Sequence, residues 1–93
     1  MNDTIHRRNK ILIEIYSKPG CHLCEEAKEV ITKAKEQFDL EIKEINIEED
    51  DELLKKYGVE IPVIWINSRK AYKYRIDSEE LHRRLLKEQS SGN

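Results

Sequence analysis

The 93 residues predict one α/β domain of order β-α-β-α-β-β-α, a four-stranded mixed sheet flanked by helices. Three observations carry this expectation. Apolar runs rich in β-branched residues recur at Lys10–Tyr16, Glu41–Ile47 and Val63–Ile66, and Ala71–Arg75 returns as a fourth strand. Between them, apolar residues repeat at helical spacing. The first two runs bracket a helical stretch, which makes a βαβ unit with a parallel pair and a right-handed crossover.

The elements follow in order. Lys10–Tyr16 (K-I-L-I-E-I-Y) has few polar breaks and suits a strand covered on both faces. Ser17-Lys18-Pro19-Gly20 is a turn by composition. From Cys21 the period changes: Cys24, Ala27, Ile31 and Ala34 form a stripe that Val30 and Phe38 widen. Lys28, Lys33, Lys35 and Glu36 occupy the outer face, and the helix is expected from about Cys21 to about Gln37. Glu41–Ile47 is the second strand. Asp50–Tyr57 is a short helix, acidic at its start and basic near its end, stopped by Gly58. Val63–Ile66 and Ala71–Arg75 form a hairpin across Asn67-Ser68. Asp77 resembles an N-cap with Glu80 three residues on, and Leu81, Leu85 and Leu86 give the last helix its apolar face. Residues 1–9 read as a flexible lead-in, 10–88 as the domain and 89–93 as a frayed polar tail.

Composition narrows the function. Charged residues make up 39% of the chain, but the apolar residues come in compact runs, so the chain folds. Basic and acidic residues nearly balance (17 against 19) with the signs interleaved, which offers no field for nucleic acid or a membrane surface. The short cluster His6-Arg7-Arg8-Asn9-Lys10 is a solvated approach to the first strand. Trp65, Tyr72 and Tyr74 invite a stacking platform for single strands. With no basic groove beside them, packing within and at the edge of the sheet is the preferred reading. No apolar stretch approaches a membrane span and the start of the chain lacks the apolar segment of a signal peptide, so a cytoplasmic, monomeric protein is expected. In that reducing compartment two cysteines favour a catalytic or metal-binding pair over a structural disulfide.

The chemistry concentrates in Pro19-Gly20-Cys21-His22-Leu23-Cys24, where a strand gives way to a helix. Residues three apart on a helix have Cα atoms about 5 Å apart, within the range a disulfide tolerates. Cys21 sits at the first turn, where unpaired N–H groups and the positive end of the dipole favour a thiolate. An ordinary thiol, with pKa near 8.5, is only ~3% thiolate at pH 7, so this placement matters. Cys21 is therefore the expected nucleophile, and Cys24, a turn deeper on the core stripe, resolves the mixed disulfide. Lys18 and a protonated His22 would favour the thiolate, while Glu25 and Glu26 oppose it. His22 equally well fills the gap as an exposed residue. Two other readings stay open here: a pair of helix-face cysteines without chemistry, and a metal half-site. Tetrahedral zinc needs more ligands than one pair supplies, and His6, His22 and His82 lack ligand spacing, so no metal site within one chain is expected.

Taken with Tyr57-Gly58-Val59-Glu60-Ile61-Pro62-Val63, the run Ile15-Tyr16-Ser17-Lys18-Pro19-Gly20-Cys21 and the C-H-L-C motif resemble the glutaredoxin-like branch of the thioredoxin superfamily, from about Lys10 to Leu86. The resemblance implies a thioredoxin-like fold, a cis bond before Pro62, packing of Pro62 against the cysteines, and pairing of the Ile61 backbone with a substrate chain. It implies that Lys18 lies near the active cysteine and can meet a carboxylate of glutathione. The motif is neither the C-P-Y-C of typical glutaredoxins nor the W-C-G-P-C of thioredoxins. Ile76-Asp77 stands where glutaredoxins carry Gly-Gly, so side chains narrow the approach of glutathione. Asp77 and Ser78 are candidates for ligand contact, with helix capping as their other role.

The expected protein is thus a dithiol redoxin acting on disulfide-bearing proteins or small-thiol mixed disulfides, with no tightly bound cofactor. Glutathione is its candidate co-substrate, and glutathione or a separate reductase its electron donor. The alternatives are a binding module whose cysteines hold an iron–sulfur cluster or zinc between two chains, and an adaptor with inert thiols.

Overall fold

The computed structural model describes residues 10–91. Its elements are β1 (Ile11–Ser17), α1 (His22–Ala34), β2 (Leu40–Asn46), a 3₁₀ turn (Ile47–Glu49), α2 (Asp51–Tyr57), β3 (Val63–Ile66), β4 (Arg69–Lys73) and α3 (Ser78–Ser91). The order is the expected one. The sheet runs β2-β1-β3-β4, with β1 parallel to β2 and antiparallel to β3, and β3 antiparallel to β4.

Period-two alternation splits β1 between two cores. Ile11, Ile13 and Ile15 are buried beneath α1 and α3 with Ala27, Ile31, Ile64, Ile66, Leu81 and Leu85. On the other face, Tyr16 meets Tyr57 of α2 at 5.0 Å between ring centroids and Trp65 of β3 at 6.4 Å. Cys24, Ile47, Ile61 and Val63 complete this second cluster, against which Cys21 packs. Each fully buried Ile or Leu contributes roughly 1.5–3 kcal/mol, so the first cluster dominates the fold and the second sets the cysteine end.

The boundaries depart from expectation where hydrogen bonding overrides pattern. Helix α1 stops at Ala34, not Gln37: residues 35–37 tighten, and the Phe38 N–H reaches the Ala34 carbonyl at 3.0 Å, turning Phe38 into the core. Strand β2 ends at Asn46, whose side chain accepts from the Glu48 N–H (2.9 Å) and caps the 3₁₀ turn that takes Ile47. Strand β4 begins at Arg69 instead of Ala71. Asn67 (φ 49°) and Ser68 (φ 69°) form a two-residue turn with both φ positive, which returns the chain at once into pairing. Gly58 follows α2 with φ −53°, so it supplies space, not a left-handed cap: a Cβ there would lie 2.5 Å from the Leu54 carbonyl oxygen.

Two expectations for the last helix fail. Leu86 is 48% exposed, because the stripe of Leu81 and Leu85 already covers the narrow sheet. Helix α3 continues to Ser91, so residues 89–91, expected to fray, are helical. The lead-in at 1–9, with most of the basic cluster, and the last two residues lie outside the described residues. No helix among the described residues is long and apolar enough to cross a membrane. Trp65 and Tyr72 pack against opposite faces of the sheet and form no shared stacking platform.

Candidate active site

The site begins with a turn. Pro19 and Gly20 hold its centre, Gly20 has φ 80°, and the Cys21 N–H returns to the Lys18 carbonyl at 3.3 Å. Proline at the second and glycine at the third position suit a type II turn, which delivers Cys21 to the start of α1. Cys21 is the N-cap itself, one residue earlier than a first-turn position. Its Sγ accepts from the Cys24 N–H at 3.2 Å, one of the helix's otherwise unpaired donors. The two sulfurs are bonded to each other, with Cα atoms 5.2 Å apart. They differ in access: Cys24 is fully buried, whereas Cys21 is partly exposed.

A polar network braces this helix start. The Ser17 hydroxyl, buried at the end of β1, donates to Glu44 of β2 at 3.2 Å. The Lys28 ammonium lies 2.7 Å from Glu44 and 2.9 Å from Glu25. Hydrogen bonding to Lys28 holds the Glu44 carboxyl below its ordinary range, and Glu44, then Glu25, hold Lys28 above its own. Pairing with Lys28 offsets the charge of Glu25 that would oppose a thiolate next to it. His22 faces solvent, its side chain 91% exposed, with Nε2 3.6 Å from Glu26. That geometry suits a residue filling the gap between the cysteines.

The Ile61–Pro62 bond is cis, and Pro62 is fully buried between Ile61 and Val63 of the cysteine cluster. The Ile61 N–H donates to the Tyr57 carbonyl at 3.1 Å, so any pairing of its backbone with a substrate falls to its own carbonyl. The Pro62 carbonyl accepts from the Tyr74 N–H at 2.9 Å. Lys18 lies in the turn before Cys21, at the cysteine end. Asp77 and Ser78 stand at the start of α3. Asp77 Oδ2 accepts from the Glu80 N–H at 3.0 Å and caps α3. Ser78 opens α3 and lines a cleft of about 760 Å³ between α1 and α3, floored by Phe38 and Leu81 and bordered by no cysteine. Size therefore does not locate the chemistry here; the sulfurs do.

Sequence reasoning missed two aromatic contributions. Tyr16 stands one residue before the turn and packs in the cysteine cluster; burial, then Glu14 and Tyr57, push its phenol up, keeping it neutral. Tyr74 adopts φ 70° beside the cis-proline, which no local sequence signal announces for a β-favouring tyrosine. No group of three or more metal-ligating side chains occurs among the described residues.

Comparison with known proteins agrees with this geometry. The model of a family described as glutaredoxin-like domain (DUF836) matches residues 12–86. A glutaredoxin-like protein of Dictyostelium discoideum is 33% identical over 78 residues, covering 77% of this chain and 72% of its own. A structural-genomics target from X. campestris superimposes with a TM-score of 0.68 at 24% identity, over 81% of this chain and 96% of its own. A mutant thioredoxin of Halobacterium salinarum gives 0.62 at 20% identity, over 94% and 81%. The fold is thioredoxin-like, and the joined Cys21–Cys24 pair within it supports a redox thiol protein. The chain belongs to the glutaredoxin-like domain family.

Proposed function

We propose that this protein is a cytoplasmic, monomeric dithiol oxidoreductase that reduces protein disulfides or mixed disulfides of small thiols. The observation that carries the reading is the asymmetry of the bonded pair: a partly exposed Cys21 at the helix N-cap, and a buried Cys24 that presents its N–H to the Cys21 sulfur. In the reduced protein that N–H and the helix dipole favour a Cys21 thiolate.

The thiolate attacks one sulfur of a substrate disulfide. The substrate S–S bond breaks, a Cys21–substrate disulfide forms, and the departing sulfur takes a proton. Cys24 then loses its proton and attacks Cys21 Sγ, breaking the mixed disulfide and releasing the second substrate thiol. Two electrons pass to the substrate, and the protein is left oxidised across Cys21–Cys24. A dithiol reductase or two molecules of glutathione return it to the dithiol. Lys18, in the turn leading to Cys21, is the cation available to a substrate carboxylate. Asp77 and Ser78, at the start of α3, are the further candidates for ligand contact.

The test is reduction of insulin and of glutathione disulfide by the pre-reduced protein, with Cys21→Ser alongside. Stoichiometric release of substrate thiol by wild type, lost in the variant, is expected. No release by wild type, or equal release by the variant, overturns the reading.

A further inference from the structure

Tyr74 is held in a conformation that its own chemistry disfavours. Its φ is 70°, and the Arg75 N–H donates to the Lys73 carbonyl at 2.8 Å, closing a γ-turn centred on the tyrosine. Turns of this hand are rare and strained for any residue with a Cβ. The strain is fixed from outside by the Tyr74 N–H on the Pro62 carbonyl, so the backbone of Tyr74 is tied to the cis-proline. The ring is not buried in return: Tyr74 is 43% exposed, with the Lys73 ammonium 5.5 Å from its centroid. A strained, exposed aromatic hydrogen-bonded to the cis-proline is poorly explained by stability and well explained by contact with a ligand.

What it borders is a small cleft of about 130 Å³. Leu23, Ala27 and Val30 of α1 form one wall, and Tyr74 and Ile76 the other, with Glu26 and Arg75 both contributing to the lining. A cavity of about 150 Å³ accommodates a benzene, so this one matches a single apolar side chain and is too small for a whole cofactor. The charges at its edge are of both signs, which favours no anion or cation. Along α1, Ala27 lies about 9 Å from Cys21. In an extended chain, residues two apart face the same side about 7 Å apart.

We propose that this cleft is a specificity pocket, with Tyr74 as one wall, for an apolar side chain two residues from the reacting cysteine of a polypeptide substrate. The inference rests on the oxidoreductase reading above. It assigns Tyr74, Leu23 and Ile76 to substrate choice and leaves sulfur chemistry to the cysteines.

Two peptides test it, Leu-Gly-Cys-Gly-Leu and Ser-Gly-Cys-Gly-Ser, each carrying thionitrobenzoate in mixed disulfide with its cysteine. The reduced protein's single-turnover release of the chromophore, followed at increasing peptide excess, gives the second-order rate constant and the half-saturating concentration for each. Wild type is expected to prefer the leucine peptide about tenfold, the scale on which apolar pockets discriminate. Tyr74→Gly, which relaxes the backbone, is expected to raise the half-saturating concentration of the leucine peptide at least fivefold and cut the preference below twofold. Tyr74→Phe is expected to keep the preference, and so is Leu86→Ser, a surface control on α3. Equal use of both peptides by wild type, or full preference in Tyr74→Gly, overturns the proposal. Release from neither peptide above the level of Cys21→Ser would instead overturn the oxidoreductase reading.

Discussion

Removing the resolving sulfur should change one rate far more than any other. In wild type, Cys24 stands three residues from Cys21 with Cα atoms 5.2 Å apart, and the two sulfurs close without moving the backbone. Well-oriented intramolecular groups reach effective molarities of about 10⁵–10⁸ M. Taking only a thousandth of the lower figure, about 10² M, Cys24 outcompetes an external thiol at about 5 mM by roughly 10⁴-fold, or about 5.5 kcal/mol in activation free energy. Cys24→Ser and Cys24→Ala should therefore hold the Cys21–substrate disulfide at least a thousandfold longer under that thiol. Serine places a hydroxyl in an apolar cluster, at a cost of about 1–3 kcal/mol in stability, so alanine controls for folding. The assay is non-reducing mass spectrometry of the adduct with an insulin peptide, timed after addition of glutathione. An adduct that decays as fast in both variants as in wild type, or an adduct of Cys21→Ser formed through Cys24, would refute the division of roles.

Other outcomes follow from the scaffold. Asn67→Ala loses the side-chain bonds to the Leu12 N–H (3.0 Å) and to Glu88 (2.9 Å) and leaves alanine at φ 49°; a loss of about 2–3 kcal/mol is expected from urea midpoints at unchanged slope, and under about 0.5 kcal/mol counts against it. Gly58→Ala pushes a Cβ to 2.5 Å from the Leu54 carbonyl oxygen and should cost about 1–3 kcal/mol, seen as a lower melting temperature. Glu44 is held down chiefly by Lys28, and Glu88 by Asn67 and then Arg84. Carboxyls lowered on folding contribute stability that is full above their ordinary value near 4.5 and lost as pH falls through the folded values. The stability gap between wild type and Lys28→Met should therefore shrink from pH 7 to pH 3; a constant or widening gap in urea titrations would exclude the Lys28–Glu44 linkage.

Legibility divided along physical lines. Element order, the parallel and antiparallel pairs and the helix-start cysteines were readable from the chain, because apolar period, turn composition and spacing are local properties. The three-residue separation of Cys21 and Cys24 fixes their reach whatever surrounds them. The Pro19-Gly20 turn likewise needs only its two residues. Boundaries moved by one to three residues wherever a hydrogen bond outside the periodic pattern closed the element, as Asn46 and Phe38 show. Leu86 looked like core because period alone does not say how wide a stripe the sheet can cover.

Long-range packing accounts for the remainder. Nothing local forces a tyrosine into φ 70°; the Pro62 carbonyl, 12 residues away in sequence, holds Tyr74 there. The isomer of the Ile61–Pro62 bond followed from family resemblance and not from its residues, and the use of the Ile61 N–H by Tyr57 emerged only in three dimensions. A cap satisfies its own helix first, as Asp77 does for α3, and burial of Leu81 and Leu85 beside α1 sets where that helix lies. Reactive atoms come from short spacings along the chain; the surface that would choose their substrate comes from strands and loops brought together by the core.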